Sequence, residues 1–422
     1  MRVMIDKANN CLVTNGKPFF YLSDTAWMAF QKLSLLEYQE YLHFRRVQRF
    51  SVMQFSVLPI SHDTSNSADD LEPFALRADG TRDFFSYNTE YFDKAEEIIR
   101  MTVEAGLVPC LHLLWVNYIP DTWGAERSPD TVMPFAAVEP FLTYVLGRYA
   151  KYKPLYSISG DTKFETEQVV DYYVHALAVV KRLDPEGLTT LHLNPEGFPP
   201  KRLMNDENYD FYTYQSSHGR DNQDLTYKHA KYYHTQEIRR PVINTEPCYE
   251  GHGHGFVYGR FSQFEVRRAT WHSLLAGAKA GIGYGAHGVW SFHKRGDSFT
   301  SVEFSNVPYD WRTSLRFLGA WDVSYARFLF EEYGLFAIEP LPCPIENKPE
   351  IRLAGTEDDS LYALYLPYAN EVPLPFDPSK YDCILIDLES RNVSQPSFRI
   401  GELPVLEVHD FNADTLLIAK VK

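Results

Sequence analysis

The feature that most constrains this chain is a repeated alternation of short apolar, β-rich runs with longer amphipathic runs over roughly its first 330 residues. Strand-like runs lie at 18–27 (PFFYLSDTAW), 51–59, 107–115, 154–161, 188–193, 210–217, 241–247 and 281–292. Between and after them, helical spacing covers 34–50, 89–106, 134–152, 166–187, 225–239, 261–281 and 311–332, and the short segment PPKRLMNDEN reads as one turn of helix. In the first helix Leu35, Tyr38, Leu42 and Val47 approximate an apolar stripe, and Ser34 with Glu37 forms a capping-box signature. Strands that alternate with helices must run parallel and carry the helices on their faces. A doubly wound open sheet would need no eighth strand and would show a Gly-rich phosphate turn after the first one, which is missing here. Eight units therefore predict a (β/α)8 TIM barrel. The polar stretch from Ser61 to Asn88 is too long for a simple connector and is of the kind that carries function.

From about Ile338 the character changes. Pro340, Pro342, Pro344 and Pro349 interrupt any helix, and short β-rich runs follow at IRLAGT, SLYALYLPYA, CILIDLES and TLLIAKVK. The expected division is a catalytic barrel over 1–338 and a small C-terminal β-sandwich over 339–422. A chain of 422 residues with 45% hydrophobic and 23% charged residues can bury such cores.

Forty-one Lys and Arg against 56 Asp and Glu give a net charge of −15, a field that repels phosphate backbones and anionic lipid surfaces alike. Neither nucleic acid nor a membrane is expected as a partner. An aromatic content of 15% supplies flat apolar faces on which a neutral ring can lie, which suits a carbohydrate. Five scattered cysteines without a CxxC pair indicate neither a disulfide framework nor a zinc finger. The first twenty residues lack the apolar run of a signal peptide, and no run approaches the roughly 20 residues that span a bilayer, so a cytoplasmic location is the expectation.

In a (β/α)8 enzyme the chemistry sits at the C-terminal ends of the strands. Strand one ends in Asp24 and Trp27, and strand two offers Gln54 and then His62. Strand three ends in His112, Trp115 and Asn117, and strand four in Gly160-Asp161. Strand six ends in Gln215 and His218, strand seven in Glu246, Tyr249 and Glu250, and strand eight presents Tyr284, His287 and Trp290. Asp161 and Glu246 stand out, because strands four and seven can face each other across the barrel mouth. Glycoside hydrolysis needs such a pair, one carboxyl to protonate the departing oxygen and one carboxylate to attack or to activate water. Against this, Asp161 could cap the fourth helix and Glu246 could be a rim ion-pair partner; Glu250 is the substitute nucleophile if the strand end is displaced. Trp27, Trp115 and Trp290 could stack on a sugar, and His112 and His287 could recognise hydroxyls or hold a carboxylate. His252 and His254 with Cys248 match no zinc spacing and read as a glycine-rich loop covering the site, while GIGYGAHG lacks the βαβ context of a dinucleotide turn.

Taken together, NGKPFFYLSDTAW, the YLHFRR…F helix, ISGD, YQSSHG, INTEPCYEG and YGAHGVW resemble the apiosidase-like glycoside hydrolases, glycoside hydrolase family 140. The resemblance spans strands one to eight and implies a (β/α)8 barrel with a C-terminal β-sandwich. It implies that Asp161 is the general acid/base and Glu246 the nucleophile of a retaining glycosidase. It also implies action on apiose, a branched plant pentose, in oligosaccharides or small glycosides, and it implies no metal or organic cofactor. Two other classes stay open on the residues alone: a metal-dependent hydrolase or lyase using the rim histidines, and a sugar-binding barrel without turnover.

Overall fold

The computed structural model describes all residues except 63, 68–69 and 410–413. Its centre is a parallel sheet of eight strands: β1 (Tyr21–Thr25), β2 (Val52–Ser56), β3 (Val108–Trp115), β4 (Leu155–Gly160), β5 (Thr189–Thr190), β6 (Tyr212–Gln215), β7 (Val242–Glu246) and β8 (Gly281–Tyr284). Ladders join β5-β4-β3-β2-β1-β8-β7-β6 in that order, which leaves one seam, between β5 and β6. There the Phe211 amide donates to Thr189 O at 3.4 Å, the Thr190 hydroxyl donates to Phe211 O at 2.7 Å and the Thr213 hydroxyl to Leu191 O at 2.6 Å. Threonine hydroxyls thus complete a ring that the backbone alone leaves thin. The sheet is the (β/α)8 barrel that the alternation predicts.

Each strand is followed by a helix on the outside: α1 (Leu35–Val47), α2 (Thr89–Glu104), α3 (Phe135–Tyr149), α4 (Glu167–Leu183), α5 (Lys201–Met204), α6 (Leu225–His234), α7 (Gln263–Leu274) and α8 (Gly319–Tyr333). The capping box of Ser34 and Glu37 starts α1 as expected. Its buried stripe, however, is Tyr38, Tyr41, Leu42 and Arg45, whereas Leu35 and Val47 are exposed. The stripe is rotated because two polar side chains have a partner below them: Tyr41 Oη and Arg45 Nε both donate to Asp24 Oδ2 at 2.5 Å. Several runs also end early. The fifth strand is two residues rather than six, the eighth stops at Tyr284 rather than 292, and the 311–332 run is a short turn, Trp311–Ser314, followed by α8. At the closed end of the barrel, three strands formed by residues 4–19 fold under the floor, where Val3, Leu12 and Phe19 pack with Tyr21, Val52 and Ile243.

The C-terminal part begins its pairing at Glu339–Pro340 and contains a six-stranded antiparallel sheet and a three-stranded one. The period-two alternation of its central strand decides both packings. Leu361, Ala363 and Tyr365 join the barrel's core, while Tyr362, Leu364 and Leu366 face the second sheet with Val372 and Leu406. Both faces are apolar because both are covered.

At that junction Arg267 of α7 is buried between two carboxylates. Its Nη1 donates to Asp322 Oδ2 at 2.9 Å and its Nη2 to Asp414 Oδ1 at 2.6 Å, and Tyr365 Oη adds a bond to Asp414 at 3.2 Å. Removing one member of a buried ionic cluster strands the others without water. Arg267→Ala is expected to cost about 3–5 kcal/mol, read as a lower urea midpoint, and an unchanged midpoint would show that the two acids find other partners.

Candidate active site

The strand tips surround a cavity that opens at one end of the barrel, walled by Trp27, Trp115 and Trp290, with Asp161, Gln215, His218, Glu246 and Tyr249 among its lining. Both carboxylates singled out from the sequence reach this one cavity. Glu246 ends β7 and is the register neighbour of Gln215 on β6, and the Gln215 amide donates to Asp161 Oδ1 at 2.7 Å. A single glutamine therefore ties the two acids to a common frame.

Glu246 is buried and flanked by two imidazoles. His192 Nε2 stands 2.8 Å from Oε2, and His218 Nε2 lies 2.9 Å from Oε1. Burial alone would push this carboxyl up, but the imidazoles outweigh it and hold the acid well below the usual carboxylate range. The result is an ionised carboxylate with a fixed orientation. Tyr249 closes the same side: its oxygen accepts from Trp27 Nε1 at 2.9 Å, and burial and then the Glu246 charge push its phenol well above its ordinary value. It stays protonated and available as a donor.

Asp161 has a different environment. Its backbone lies in the left-handed region at φ 58°, unusual outside glycine and tolerated best by Asn and Asp. Its Oδ1 accepts from Gln215 and from Asn194 Nδ2 at 3.2 Å, while Oδ2 lies 3.6 Å from His62 Nε2. Helix α4 is capped by Thr166, so Asp161 is not its N-cap. The Gly160 that precedes it is required by packing, since a Cβ there would lie 2.2 Å from the Trp115 ring.

Other residues expected at the site lie beneath it or away from it. Gln54 and His112 are fully enclosed and form a floor: Gln54 donates to Ser23 Oγ at 2.9 Å and to Thr245 O at 3.1 Å, and His112 Nε2 lies 3.2 Å from Gln54 Oε1. Asp24 points outward from β1 into the α1 interface, where Arg45 and Tyr41 hold it, so it cannot touch a ligand. Asn117 is turned into its own loop and donates to Thr131 Oγ1 at 3.2 Å. Glu250 also faces away, accepting from Tyr284 Oη at 2.7 Å and from the Gly319 amide at 2.9 Å, which removes both Glu250 and Tyr284 from the cavity. His287 is buried behind Trp290, donating to or accepting from neighbours within its loop, with Nε2 2.9 Å from Asn306 O. Alternation along the strands explains Asp24 and its register neighbour Tyr284, one position off the inward-facing Ser23, whereas Asn117, Glu250 and His287 lie past their strands' ends, where loop geometry sets their direction.

The residues that sequence reasoning passed over are His192, Asn194 and Phe304, and it placed His252 only in a loop covering the site. His192 carried a readable signal, because it shares the inward face of the LTTLHL run with Thr190. Asn194 and Phe304 come from loops with no periodicity. His252 lines the cavity with Nδ1 2.7 Å from Gly253 O, while His254 turns toward Glu265, 3.5 Å away. Among the described residues, no three His, Cys, Asp or Glu side chains converge as a metal-binding group.

The chain and its barrel match known proteins. The family model described as apiosidase-like, catalytic domain, matches residues 6–337. A search of curated proteins finds no match. Among solved structures, one titled glycoside hydrolase superposes with a TM-score of 0.80 at 18% identity, covering 100% of this chain and 97% of its own. A glycoside hydrolase family 5 protein from Bacteroides vulgatus gives 0.81 at 18% identity, covering 100% and 93%. A putative glycoside hydrolase from the same organism gives 0.69 at 17%, covering 100% and 82%. At these identities the structural likeness is one of fold.

The buried imidazoles give the site a pH signature. His287 is pushed down to about 3 by burial, so it stays neutral in the native state when an unfolded histidine, near 6.5, has already taken up a proton. The unfolded chain then binds more protons, and stability falls as pH drops below about 6.5, by about 1.4 kcal/mol per pH unit for each such group. His287→Gln is expected to flatten the stability profile between pH 6.5 and 4 by that slope in urea titrations; parallel profiles would show that His287 is protonated in the folded protein.

Proposed function

This chain belongs to the apiosidase-like family of catalytic domains and is a glycosidase, and we propose that it cleaves its substrate by a retaining double displacement with Glu246 as nucleophile and Asp161 as general acid/base. The observation that carries this reading is the contrast between the two carboxyls in one cavity. Glu246 is held ionised between His192 and His218, as a nucleophile must be. Asp161 has its Oδ1 occupied by two amide donors, so a proton it carries sits on Oδ2, the oxygen toward His62.

In the first step a Glu246 oxygen forms a bond to the anomeric carbon as the bond to the leaving oxygen breaks, and that oxygen takes the proton from Asp161. In the second, Asp161 accepts a proton from water, whose oxygen bonds to the anomeric carbon and releases Glu246 as a carboxylate. Retention calls for a separation of about 5–5.5 Å between the two carboxyls. Both carboxyls line the one cavity, with Gln215 bonded to Asp161 and beside Glu246 in register, which supports their acting as a pair. Tyr249, with its proton held, is placed to donate toward Glu246 or the ring oxygen.

For the substrate we propose a pentose of the apiose kind, presented by a plant-derived oligosaccharide or a small glycoside. The family supports this. Indole walls suit a sugar's apolar face. A panel of aryl pentosides and hexosides that includes β-apioside tests the choice, with fastest turnover expected on the apioside and equal or faster turnover on hexosides counting against it.

Glu246→Gln is expected to abolish turnover of an aryl glycoside with the fold intact by circular dichroism; retained turnover would remove Glu246 from this role. Asp161→Ala should cost about 10²- to 10⁴-fold on poor leaving groups and far less on activated ones. An equal loss on both would make Asp161 a structural acid.

A further inference from the structure

The tryptophan walls have no polar group left for a ligand. Trp27 Nε1 donates to Tyr249 Oη at 2.9 Å, Trp115 Nε1 to His62 Nε2 at 3.4 Å and Trp290 Nε1 to His287 Nδ1 at 3.3 Å. The indoles therefore offer only their faces, and hydroxyl recognition falls to other lining side chains. The imidazoles on this side of the cavity can be sorted by what their partners require. His218 Nε2 is held at Glu246 Oε1, and its Nδ1 is buried without a partner among the described residues. His287 meets Asn306 O with Nε2 and the Trp290 N–H with Nδ1, so both of its nitrogens are occupied.

His252 differs. Its Nδ1 lies 2.7 Å from Gly253 O, and a carbonyl only accepts, so that nitrogen carries the proton. Burial, and then His218 and His287, push this imidazole well below its ordinary value, so the ring holds no second proton and Nε2 is a bare lone pair. Nε2 has no partner among the described residues, yet it is not sealed off as His218 Nδ1 is. His252 lines the cavity while only 3% exposed, so the little it shows is shown there. The ring is also firmly held. The His252 amide donates to Tyr249 O at 3.1 Å, its carbonyl accepts from the Phe261 amide at 2.9 Å, and the ring packs 4.7 Å from His218 and 4.8 Å from His287.

A lone pair facing an open cavity is served by water until a ligand displaces that water, and the ligand must then bring a donor or bind more weakly. A sugar hydroxyl is such a donor. The ring of strands indicates which sugar it belongs to. Asp161 follows β4, and the leaving oxygen must stand beside it to take its proton. In the ladder order β8 lies diametrically opposite β4, and the β8 loop supplies Phe304 and Ser305, which line the cavity with His252. His252 also packs on His218, the imidazole bonded to Glu246. The group that meets His252 is therefore the sugar that Glu246 attacks.

We propose that His252 Nε2 accepts a hydrogen bond from a hydroxyl of the sugar being cleaved, and so selects for sugars that carry a hydroxyl at that position. This rests on the glycosidase reading and adds a specificity-determining residue to it.

Two variants separate the lone pair from the ring's other contacts. His252→Asn keeps a side-chain N–H where Nδ1 meets Gly253 O but has no atom at the Nε2 position, whereas His252→Gln carries an amide oxygen to that position. Both are assayed beside the parent on p-nitrophenyl β-apioside, on each of its monodeoxy forms and on a disaccharide with the same sugar at the cleaved end. On the apioside, kcat/KM should fall about tenfold in His252→Asn and by less than about threefold in His252→Gln. One monodeoxy apioside, slow with the parent, should be cleaved equally well by the parent and His252→Asn, because the hydroxyl that Nε2 serves is already gone. A His252→Asn loss of the same size on every deoxy form would make His252 a structural member of the wall and overturn the proposal, as would unchanged activity of His252→Asn on the apioside. A loss seen with the disaccharide and absent from the aryl glycoside would place the hydroxyl on the leaving group and overturn its assignment to the cleaved sugar. If the parent does not cleave the apioside, the pentose reading fails separately, and the same comparison runs on whichever panel sugar the parent does cleave; a parent that cleaves none would overturn the proposal together with the reading it rests on.

Discussion

Closure of the parallel sheet is the constraint on which everything else rests. Seven of the eight strand junctions are carried by ladders, but between β5 and β6 a sparse set of bonds, several from Thr190 and Thr213, joins the edges. A ring must form for the eight tips to crowd onto one rim and for inward side chains to meet across it. The seam is also where the site is most dependent on the fold. His192 follows β5 by two residues, and it is the side chain that stands against Glu246. Loosening the seam would shift His192 relative to Glu246.

Three acids near the strand tips show how the direction a side chain takes sorts identical chemistry into different roles. Asp24, Glu246 and Glu250 are all buried. Asp24 faces outward and meets a guanidinium and a phenol. Glu250 also faces outward, meeting a phenol and a backbone amide, and burial raises its carboxyl above the ordinary value. Glu246 alone faces the cavity with imidazoles at both oxygens, which keeps it charged beside a space a ligand can enter. A buried carboxylate is tolerated in each case because it is paired, and only one of the pairings leaves reactive geometry.

The C-terminal sheets contribute to the same economy of burial. The central strands of the six-stranded sheet are covered on both sides: one side extends the barrel core through Tyr365 and Ile418, and the other closes on the smaller sheet through Leu364 and Leu417. Arg267, Asp322 and Asp414 pin this junction by charge. Helix α7, which carries Arg267, follows the same loop that presents His252, so the junction steadies the element behind that wall.

Much of this was legible in the chain itself. The alternation of strand and helix specified the barrel, because an eighth strand and the lack of a Gly-rich phosphate turn after the first set aside the doubly wound sheet, and the prolines after Ile338 marked where that pattern ends. The carboxyls of Asp161 and Glu246 were legible because they close strand-like runs, where a barrel gathers its chemistry. Tertiary structure alone decided which neighbours face them. Asp24, Asn117, Glu250 and His287 sit at strand ends or in adjoining loops but turn into the protein, whereas His192, Asn194 and Phe304 come into reach from positions with faint local signals or none. The physical reason is that composition and periodicity act over a few residues, while the direction of a tip side chain depends on strand register, on closure across the seam and on which partner waits on either face.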